Sequence, residues 1–402
     1  MATGKETYTV VIVGGGTAGI TTAARLVKSM PGGNQKPKIA IIEPSAKHYY
    51  QPLWTLVGAG VFPKSVTERA ESDFIPAGCK WIQDSVTEFF PDQNQVMTQA
   101  GREIHYEFLV VAAGIQLDWG KVPGLKESLG RNGVCSNYSY DSVDSTWENI
   151  RNFQRGVAIF TQPPSPFKCG GAPQKIMYLA DDAFRRSGVR GKSQIFYCSA
   201  APVSFHVKKY AASMDRVIER KGIEAKYRHN LIELRPDVKE AIFQNLDSGD
   251  KVALRYDMIH VTPPQSAPDF IKRSPLANKE GWVDVDKKTL RHTRYGDIFG
   301  IGDASSLPTS RTGAAIRKEA PVLVQNLVAA IQGKPLLAEY DGYTSCPLVT
   351  GYRSLVMAEF DYDLNPQETF PFDQSKERYS MYLVKAHLLP RLYWHGMLRG
   401  RA

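Results

Sequence analysis

The chain has 402 residues, of which 43% are hydrophobic and 23% are charged, and its formal net charge is +9 at pH 7. This composition excludes an intrinsically disordered chain and supports a core large enough for two or more domains. The positive charge suits an anionic partner, but charge alone does not distinguish nucleic acid, a membrane surface and a small molecule. The sequence contains no apolar run of about 18 residues, which excludes a conventional transmembrane helix.

The first 43 residues predict a strand, a glycine turn, a helix and a second strand. Residues 7–13 (TYTVVIV) are mostly β-branched, and they precede the glycine-rich residues 14–19 (GGGTAG) and the alanine-rich residues 20–28. A second apolar strand at 38–42 ends at Glu43, which is placed to accept hydrogen bonds from ribose hydroxyls. A strand-ending Glu without any ligand explains that residue equally well. The order of elements is typical of a right-handed βαβ dinucleotide-binding unit.

Each residue of the glycine turn has a function in that interpretation. Gly14 and Gly16 allow the backbone to turn tightly and to approach a pyrophosphate, and Gly19 allows the helix to pack closely on the strand. Thr17 and Ala18 begin the helix, whose free N–H groups and positive dipole end attract phosphate.

The remainder of the chain alternates strands with helices. Strands are predicted at 107–112, 157–160, 194–197, 258–261 and 295–302, and helices at 174–186 and 314–332. This alternation predicts an α/β protein. From residue 295 onwards we expect the chain to return to the first domain.

Two downstream segments indicate which dinucleotide is bound. Residues 108–114 (FLVVAAG) and 295–303 (YGDIFGIGD) resemble the later motifs of the flavoproteins that contain two dinucleotide-binding folds. In those proteins the Asp after Gly-x-Gly holds the ribityl chain. The resemblance implies FAD as the cofactor, with Ala113, Gly114, Gly302 and Asp303 in its site.

The middle of the chain lacks a second glycine fingerprint. After the strand at 157–160 come residues 162–175 (QPPSPFKCGGAPQK), where prolines and Cys169 stand in place of a phosphate-binding turn. Residues 198–202 (CSAAP) are equally unsuited to a pyrophosphate. This argues against a nicotinamide as the electron donor.

Four further segments are similar to the mitochondrial-type sulfide:quinone oxidoreductase family, and the similarity extends over essentially the whole chain. They are residues 50–60, 168–179, 341–352 and 370–383. The resemblance implies an α/β fold of two Rossmann-like dinucleotide-binding-type domains in tandem, followed by a C-terminal membrane-associating element. We predict an FAD-binding domain from residues 1–120 and 291–345, a second Rossmann-like domain from 121–290, and a C-terminal region from 346–402.

The five cysteines are Cys79, Cys135, Cys169, Cys198 and Cys346. None has CxxC spacing or a neighbouring histidine at zinc-ligand spacing, so we predict that the protein holds no metal. An odd number argues against a structural disulfide framework, although most buried cysteines are inert. Cys169 and Cys346 match the two redox cysteines of the family, which the sequence alone does not pair. Cys135 lies near a third cysteine of bacterial-type relatives, and we expect it to be accessory or inert.

The resemblance also implies a mechanism and a set of partners. Hydrosulfide attacks at Cys346 of an oxidised Cys169–Cys346 pair, bridged directly or through one further sulfur, and the released Cys169 thiolate passes two electrons to the flavin. A small acceptor such as glutathione or sulfite then takes the persulfide sulfur, and ubiquinone or another membrane quinone takes the electrons. Lys168, Lys175 and a helix start at Pro173 are expected to favour the Cys169 thiolate. We expect no nucleic acid partner.

The C-terminal residues mix basic and apolar side chains, which is typical of a segment lying on a membrane. The alternative is a helix that packs in the core. The basic residues are Lys376, Arg378, Lys385, Arg391, Arg399 and Arg401, and the apolar residues are Met381, Tyr382, Leu383, Leu388, Leu389, Leu392, Tyr393, Trp394, Met397 and Leu398. We therefore predict a peripheral protein of the mitochondrial inner membrane, or of the bacterial cytoplasmic membrane if the source is bacterial.

Three other functions remain alternatives at this point. They are a flavocytochrome-type sulfide dehydrogenase, an NADH:quinone reductase on the same fold, and a flavin-binding redox module without enzymatic activity. The NADH:quinone reductase requires the second glycine fingerprint that is absent here. The redox module requires no reactive cysteine.

Overall fold

The computed structural model describes residues 6–30, 37–164 and 166–402. The predicted N-terminal unit is present, because β1 leads through the glycine turn into α1 and then into β2. The elements of the first part of the chain are β1 (Glu6–Val13), α1 (Thr17–Ser29), β2 (Ile39–Ile42), β3 (Lys47–Tyr49), α2 (Trp54–Val57), β4 (Glu68–Ala70), β5 (Cys79–Ile82), β6 (Val86–Phe90), β7 (Gln95–Thr98), β8 (Glu103–Val111), β9 (Gln116–Leu117) and α3 (Leu125–Ser128).

The middle part of the chain builds a second α/β unit, as the alternation predicts. Its elements are β10 (Val134–Cys135), α4 (Val143–Asn152), β11 (Gly156–Gln162), α5 (Ala172–Arg186), β12 (Ser193–Ser199), α6 (Lys208–Lys221), β13 (Glu224–Tyr227), β14 (His229–Arg235), β15 (Glu240–Asn245), β16 (Lys251–Arg255), β17 (Met258–His260), β18 (Gln265–Ser266) and α7 (Asp269–Lys272).

The last part returns to the first sheet before forming a hairpin and a helical tail. Its elements are β19 (Ile298–Gly300), α8 (Gly313–Ile331), β20 (Thr344–Gly351), β21 (Ser354–Phe360), α9 (Tyr379–Leu383), a π-helical turn (Val384–Leu388) and α10 (Leu389–His395). β19 pairs in parallel with β8. The predicted return of the chain to the first domain is therefore confirmed, and the boundaries of the domains stay a prediction.

The first sheet has the strand order β5–β2–β1–β8–β7–β6, with β19 added beside β8. β1 lies between β2 and β8 and pairs in parallel with both, with Val11 opposite Ala40 and Leu109. Residues 10–13 are buried, as expected for a parallel strand that is covered on both faces. Parallel strands end at the same edge of the sheet, so the turns after β1, β8 and β19 lie together there.

The second sheet has the order β10–β17–β11–β12–β13, and all of its pairs are parallel. β11 is followed by α5, which begins at Ala172 with Pro173 in its first turn. Pro fits there because the first N–H groups of a helix have no intrahelical partner. α5 packs against β20, which brings the start of this helix next to the hairpin β20–β21.

The tail is more buried than its composition suggests. Six of the ten apolar residues predicted to face a membrane are buried: Met381, Tyr382, Tyr393, Trp394, Met397 and Leu398. Trp394 packs on Phe74 with ring centroids 5.1 Å apart, so this part of the tail belongs to the core. Leu383 and Leu388 are 39% and 55% exposed. Within the described residues, no helix combines the length and the apolar character needed to cross a bilayer.

A buried ion cluster joins α5 to α6. The carboxylate of Asp181, with no exposed side-chain surface, contacts Arg185 at 2.9 Å, Arg190 at 2.6 Å and Lys221 at 3.0 Å. Lys221 is itself 6% exposed and also contacts Asp182 at 2.5 Å, so removing the Asp181 carboxylate takes away one of the two counterions of a buried ammonium.

We expect Asp181→Ala to lower the free energy of unfolding by about 3 kcal/mol, because the largely buried Arg190 and Lys221 both lose a buried carboxylate partner. Chemical denaturation followed by circular dichroism measures this loss. Glu339→Ala removes an exposed partner of Lys288 and is the matched control, which should leave the denaturation midpoint nearly unchanged. Equal midpoints for Asp181→Ala and the control would contradict the expected role of the cluster.

Candidate active site

The glycine turn after β1 is shaped by two close approaches of the backbone. Gly14 has φ of +104°, and a side chain there would collide with the carbonyl group of Ala112. A side chain on Gly19 would collide with the carbonyl oxygen of Gly14. Both positions therefore require glycine for the reasons given by the sequence pattern. Gly16 precedes α1 and offers no side chain to cap its first N–H groups.

Glu43 lies at the end of β2 and reaches back to the glycine turn. One carboxylate oxygen accepts from the N–H of Gly15 at 2.7 Å, and the other accepts from the N–H of Ser45 at 2.8 Å. Burial raises its pKa, and these backbone hydrogen bonds oppose the rise. Each oxygen keeps a free lone pair, so the group can still accept from a hydroxyl.

Gly302 and Asp303 follow β19 at the same edge of the sheet. The N–H of Gly302 donates to Glu319 at 2.9 Å, and burial raises the pKa of Glu319 to about 8. Burial also raises the pKa of Asp303, while Arg311 and Lys168 oppose the rise. Arg311 donates to the backbone oxygen of Asp303 at 2.9 Å.

A cavity of about 430 Å³ opens along this edge of the sheet. Five of the ten residues predicted to bind the cofactor form part of its wall: Gly16, Thr17, Ala18, Gly114 and Asp303. The other five, Gly14, Gly19, Glu43, Ala113 and Gly302, belong to the same turns but do not line the cavity. The cavity continues to Cys169, Lys175, Lys385 and the apolar residues Phe370, Leu388 and Leu389.

The structure brings Cys169 and Cys346 together. Their sulfur atoms are 3.6 Å apart, which is a thiol–thiol contact and not a disulfide bond. Cys169 precedes α5 with φ of +55°, and Cys346 lies in β20. A side chain on Gly171 would place its Cβ 2.8 Å from the sulfur of Cys346. Glycine at position 171 therefore leaves the space that the side chains of Cys346 and Leu348 occupy.

The two thiols have opposite acid–base character. The pKa of Cys169 is held well below its usual value by the hydrogen bond from Cys346 and by Lys175, whose ammonium lies 3.0 Å from the sulfur. The pKa of Cys346 is raised well above its usual value by its role as the donor in that contact and by burial. Cys169 is therefore the thiolate of the pair, and Cys346 is the thiol.

Lys168 makes no direct contact with the Cys169 sulfur, although the charges of the two groups attract each other. Its ammonium donates instead to the side chain of Gln51 at 2.6 Å and to the carbonyl of Tyr138 at 3.4 Å. Burial lowers its pKa to about 8. Lys175 alone of the two expected lysines contacts the sulfur.

Lys385 was not predicted as a site residue. It lies in the π-helical turn of the tail, is 2% exposed and donates to the carbonyl of Pro52 at 2.7 Å. Burial and the nearby Lys175 lower its pKa to about 7. In the sequence it is one of several basic residues in a mixed tail, so no local pattern distinguishes it from a surface lysine.

The environments of the other three cysteines favour the protonated thiol. Burial raises the pKa of Cys79 to about 11 and that of Cys135 and Cys198 to about 12. Cys135 has no exposed surface and donates to the carbonyl of Ile259 at 3.5 Å.

Arg311 stacks over Trp282, with the guanidinium carbon 3.9 Å from the ring centroid.

Comparison with known proteins defines first the class and then the family. A family profile described as pyridine nucleotide-disulphide oxidoreductase matches residues 8–146. Together with the tandem Rossmann-like units and the facing thiols, this defines a flavin-dependent oxidoreductase. The mitochondrial sulfide:quinone oxidoreductase of Mus musculus is 49% identical over 399 residues, which cover 99% of this chain and 88% of that protein. The chain belongs to the sulfide:quinone oxidoreductase family.

Two further matches agree with this assignment. The mitochondrial sulfide:quinone oxidoreductase of Schizosaccharomyces pombe is 38% identical over 414 residues, which cover 98% of this chain and 90% of that protein. The crystal structure of sulfide:quinone oxidoreductase from Aquifex aeolicus superposes with a TM-score of 0.82 at 19% identity, over 98% of this chain and 92% of that one. The second match shows a shared fold.

The thiol pair generates a prediction about pH. In the reduced protein at pH 6, iodoacetamide should modify Cys169 before the other cysteines, because its pKa is lowered and theirs are raised. Lys175→Met should move the alkylation profile of Cys169 upward by about one pH unit or more, since a neighbouring cation is lost. Lys168→Met is the control and should move it less. Mass spectrometry of protein alkylated over a pH series measures both shifts, and an unchanged profile in Lys175→Met would contradict the assignment.

Proposed function

We propose that this chain oxidises hydrogen sulfide at Cys169 and Cys346 and passes two electrons through FAD to a membrane quinone. The observation that carries the proposal is the pair of sulfur atoms 3.6 Å apart beside a cavity that begins at a dinucleotide-binding turn. Membership of the sulfide:quinone oxidoreductase family supports it.

The described residues fit FAD in three respects. The N-terminus of α1 has no side-chain cap and no acidic residue in its first turn, so its N–H groups are free for a pyrophosphate. Gly14 and Gly19 leave room for the close backbone turn that this requires. The cavity then extends past Asp303 to Cys169, so a flavin ring can lie against the sulfur of Cys169. When bound, FAD supplies a two-electron acceptor next to the sulfur centre.

The unequal thiols determine the order of the sulfur chemistry. In the oxidised pair, hydrosulfide attacks the sulfur of Cys346, forms a new S–S bond there and breaks the bond to Cys169. Cys169 leaves as the thiolate, which Lys175 stabilises at 3.0 Å, and the thiol of lower pKa is the better leaving group. The displaced electron pair on Cys169 is the one that goes to the flavin.

A nucleophilic acceptor such as glutathione or sulfite then takes the outer sulfur from Cys346. The electron pair of the broken S–S bond stays on Cys346. It forms the new S–S bond to Cys169, whose own pair has gone to the flavin, so Cys169 and Cys346 are again joined as the oxidised pair. Hydrosulfide has lost two electrons and one proton, while the quinone gains two electrons and two protons, one of them from solvent. The buried ammonium groups of Lys175 and Lys385 favour anionic hydrosulfide and acceptor.

The apolar end of the cavity suits a quinone, and the adjacent surface suits a membrane. Leu388 lines the cavity and is 55% exposed, and Leu383 lies one turn earlier with 39% exposed. These two side chains, with exposed His387 and Arg391, form a small apolar and basic surface at the mouth of the cavity. We propose peripheral attachment to the mitochondrial inner membrane through this surface, or to the cytoplasmic membrane of a bacterial source.

Cys169→Ala and Cys346→Ala should each abolish sulfide-dependent quinone reduction while the flavin stays bound, because the thiols perform the chemistry and the turns after β1, β8 and β19 hold the cofactor. Stopped-flow absorbance of the flavin after mixing with sulfide measures the first half-reaction directly. Cys135→Ser is the matched control and should keep most of the activity, since that thiol is buried and protonated.

The same measurement distinguishes the alternative functions. Sulfide should bleach the flavin of the wild-type protein, and NADH should not. Bleaching by NADH would support an NADH:quinone reductase, bleaching by neither would support a redox module, and electron transfer to cytochrome c in preference to a quinone would support a flavocytochrome-type sulfide dehydrogenase. Near-normal turnover in either alanine variant would exclude the thiol mechanism.

The proposed membrane surface can be tested without deleting the tail, which would also remove Lys385 and Tyr393 from the site. Leu383→Ser combined with Leu388→Ser should weaken pelleting with anionic liposomes by about tenfold or more, because each buried Leu contributes about 1.5–3 kcal/mol. Leu337→Ser, at an 85% exposed position elsewhere, is the control and should pellet like the wild type. Binding should also fall with rising salt. Unchanged pelleting of the double variant would place the attachment elsewhere.

A further inference from the structure

Four hydrogen-bonded side chains connect the tail to the first turn of α1. Glu71 and His48 are joined at 2.8 Å, His48 and Tyr393 at 2.6 Å, and Tyr393 and Thr17 at 2.8 Å. Glu71, His48 and Tyr393 are 1%, 3% and 3% exposed. The residues come from the first sheet's connections, the tail and α1, so the chain of bonds is formed only when all three segments are in place.

One order of donors satisfies every link. The carboxylate of Glu71 accepts from Nδ1–H of His48, Nε2 of His48 accepts from the hydroxyl of Tyr393, and the oxygen of Tyr393 accepts from the hydroxyl of Thr17. The tyrosine ring is fixed from its sides by Tyr50, with centroids 4.5 Å apart, and by Trp394, with centroids 5.0 Å apart. The hydroxyl of Tyr393 is therefore held at one point in space.

The hydroxyl of Tyr393 lies at the first residue of α1, a helix that has no side-chain N-cap. Gly16 gives α1 no side-chain acceptor for its first N–H groups, and a capping side chain there would occupy the position of a phosphate. Without a cap, the first turn of a helix frays. Thr17, the first residue of α1, is instead fixed through its side chain by Tyr393.

The other end of the bonded chain lies against the same turn. The second carboxylate oxygen of Glu71 has no hydrogen-bond partner among the described residues and is buried. A Cβ on Gly15 would lie 2.5 Å from this oxygen. Two residues that follow α10 also contact α1. The carbonyl of Gly400 accepts from Lys28 at 3.3 Å, and the carbonyl of Ala402 accepts from Arg25. The tail thus contacts α1 at its first turn through Tyr393 and again near its C-terminal end, while Glu71 lies against the glycine turn.

We propose that Tyr393, oriented by His48 and Glu71, is a positioning residue that holds the first turn of α1 in the conformation that binds the pyrophosphate of FAD. The inference rests on the proposed FAD site and extends it, because it makes the C-terminal tail a structural part of that site. The tail then contributes to cofactor retention independently of any contact with a membrane.

The test is the rate at which the full-length holoprotein releases FAD, followed by the rise in flavin fluorescence after dilution. Tyr393→Phe keeps the ring and removes the hydroxyl, and it should speed release about tenfold. Thr17→Val should have a similar effect, and the double variant should release FAD no faster than either single variant, because both remove the same bond. Thr17→Ser keeps the hydroxyl and should release FAD at nearly the wild-type rate.

A control separates positioning from general stability. Tyr197→Phe removes the hydroxyl of another fully buried tyrosine, which donates to Gln162 at 2.5 Å in the second sheet. It should leave the release rate unchanged even if the melting temperature falls. A wild-type release rate in Tyr393→Phe, or additive effects of Tyr393→Phe and Thr17→Val, would overturn the inference. Wild-type protein that does not bind FAD would overturn the proposed cofactor, and this inference with it.

Discussion

The contact between the ammonium of Lys175 and the sulfur of Cys169, at 3.0 Å, is the interaction on which the site depends. It makes one thiol of a close pair a thiolate and leaves Cys346 as its hydrogen-bond donor. The contact exists because α5 starts two residues after Gly170 and packs against β20, which fixes both sulfurs relative to the ammonium. In the second α/β unit, Cys169 lies just before α5, where a nucleotide-binding domain has its phosphate-binding turn. This βαβ unit therefore carries a nucleophilic sulfur in place of a phosphate site.

The flavin side uses the same geometry for a different purpose. The N-terminus of α1 follows a glycine turn and has no side-chain cap, whereas the N-terminus of α5 follows a cysteine. Both helix ends reach the wall of one cavity, along with residues of the tail. A positive helix end favours a phosphate in the first case and a thiolate in the second. The cavity therefore connects the proposed flavin site with Cys169.

Much of the fold follows from local patterns in the sequence. The β-branched run before Gly14 and the alternation of strands and helices predict the parallel α/β core of both sheets, because hydrophobic periodicity is a local property. The antiparallel pairs that β7 makes with β6 and β8 were not predicted. The pairing of Cys169 with Cys346 needed resemblance to a family, since no rule of spacing connects residues so far apart. Lys385, His48 and Tyr393 were missed because their importance comes only from tertiary contacts. The tail shows the same limit: its composition suggested a surface, yet Trp394 and Met397 are buried.

Gly171 limits how the cysteine pair could be transferred to another protein. A Cβ there would lie 2.8 Å from the sulfur of Cys346 and still closer to a methyl carbon of Leu348, so any other residue would have to displace these side chains. Two cysteines introduced into another protein would not reproduce the chemistry without a glycine at the position that corresponds to Gly171. For protein engineering, the transferable unit is the whole turn Cys169-Gly170-Gly171 with the strand that faces it.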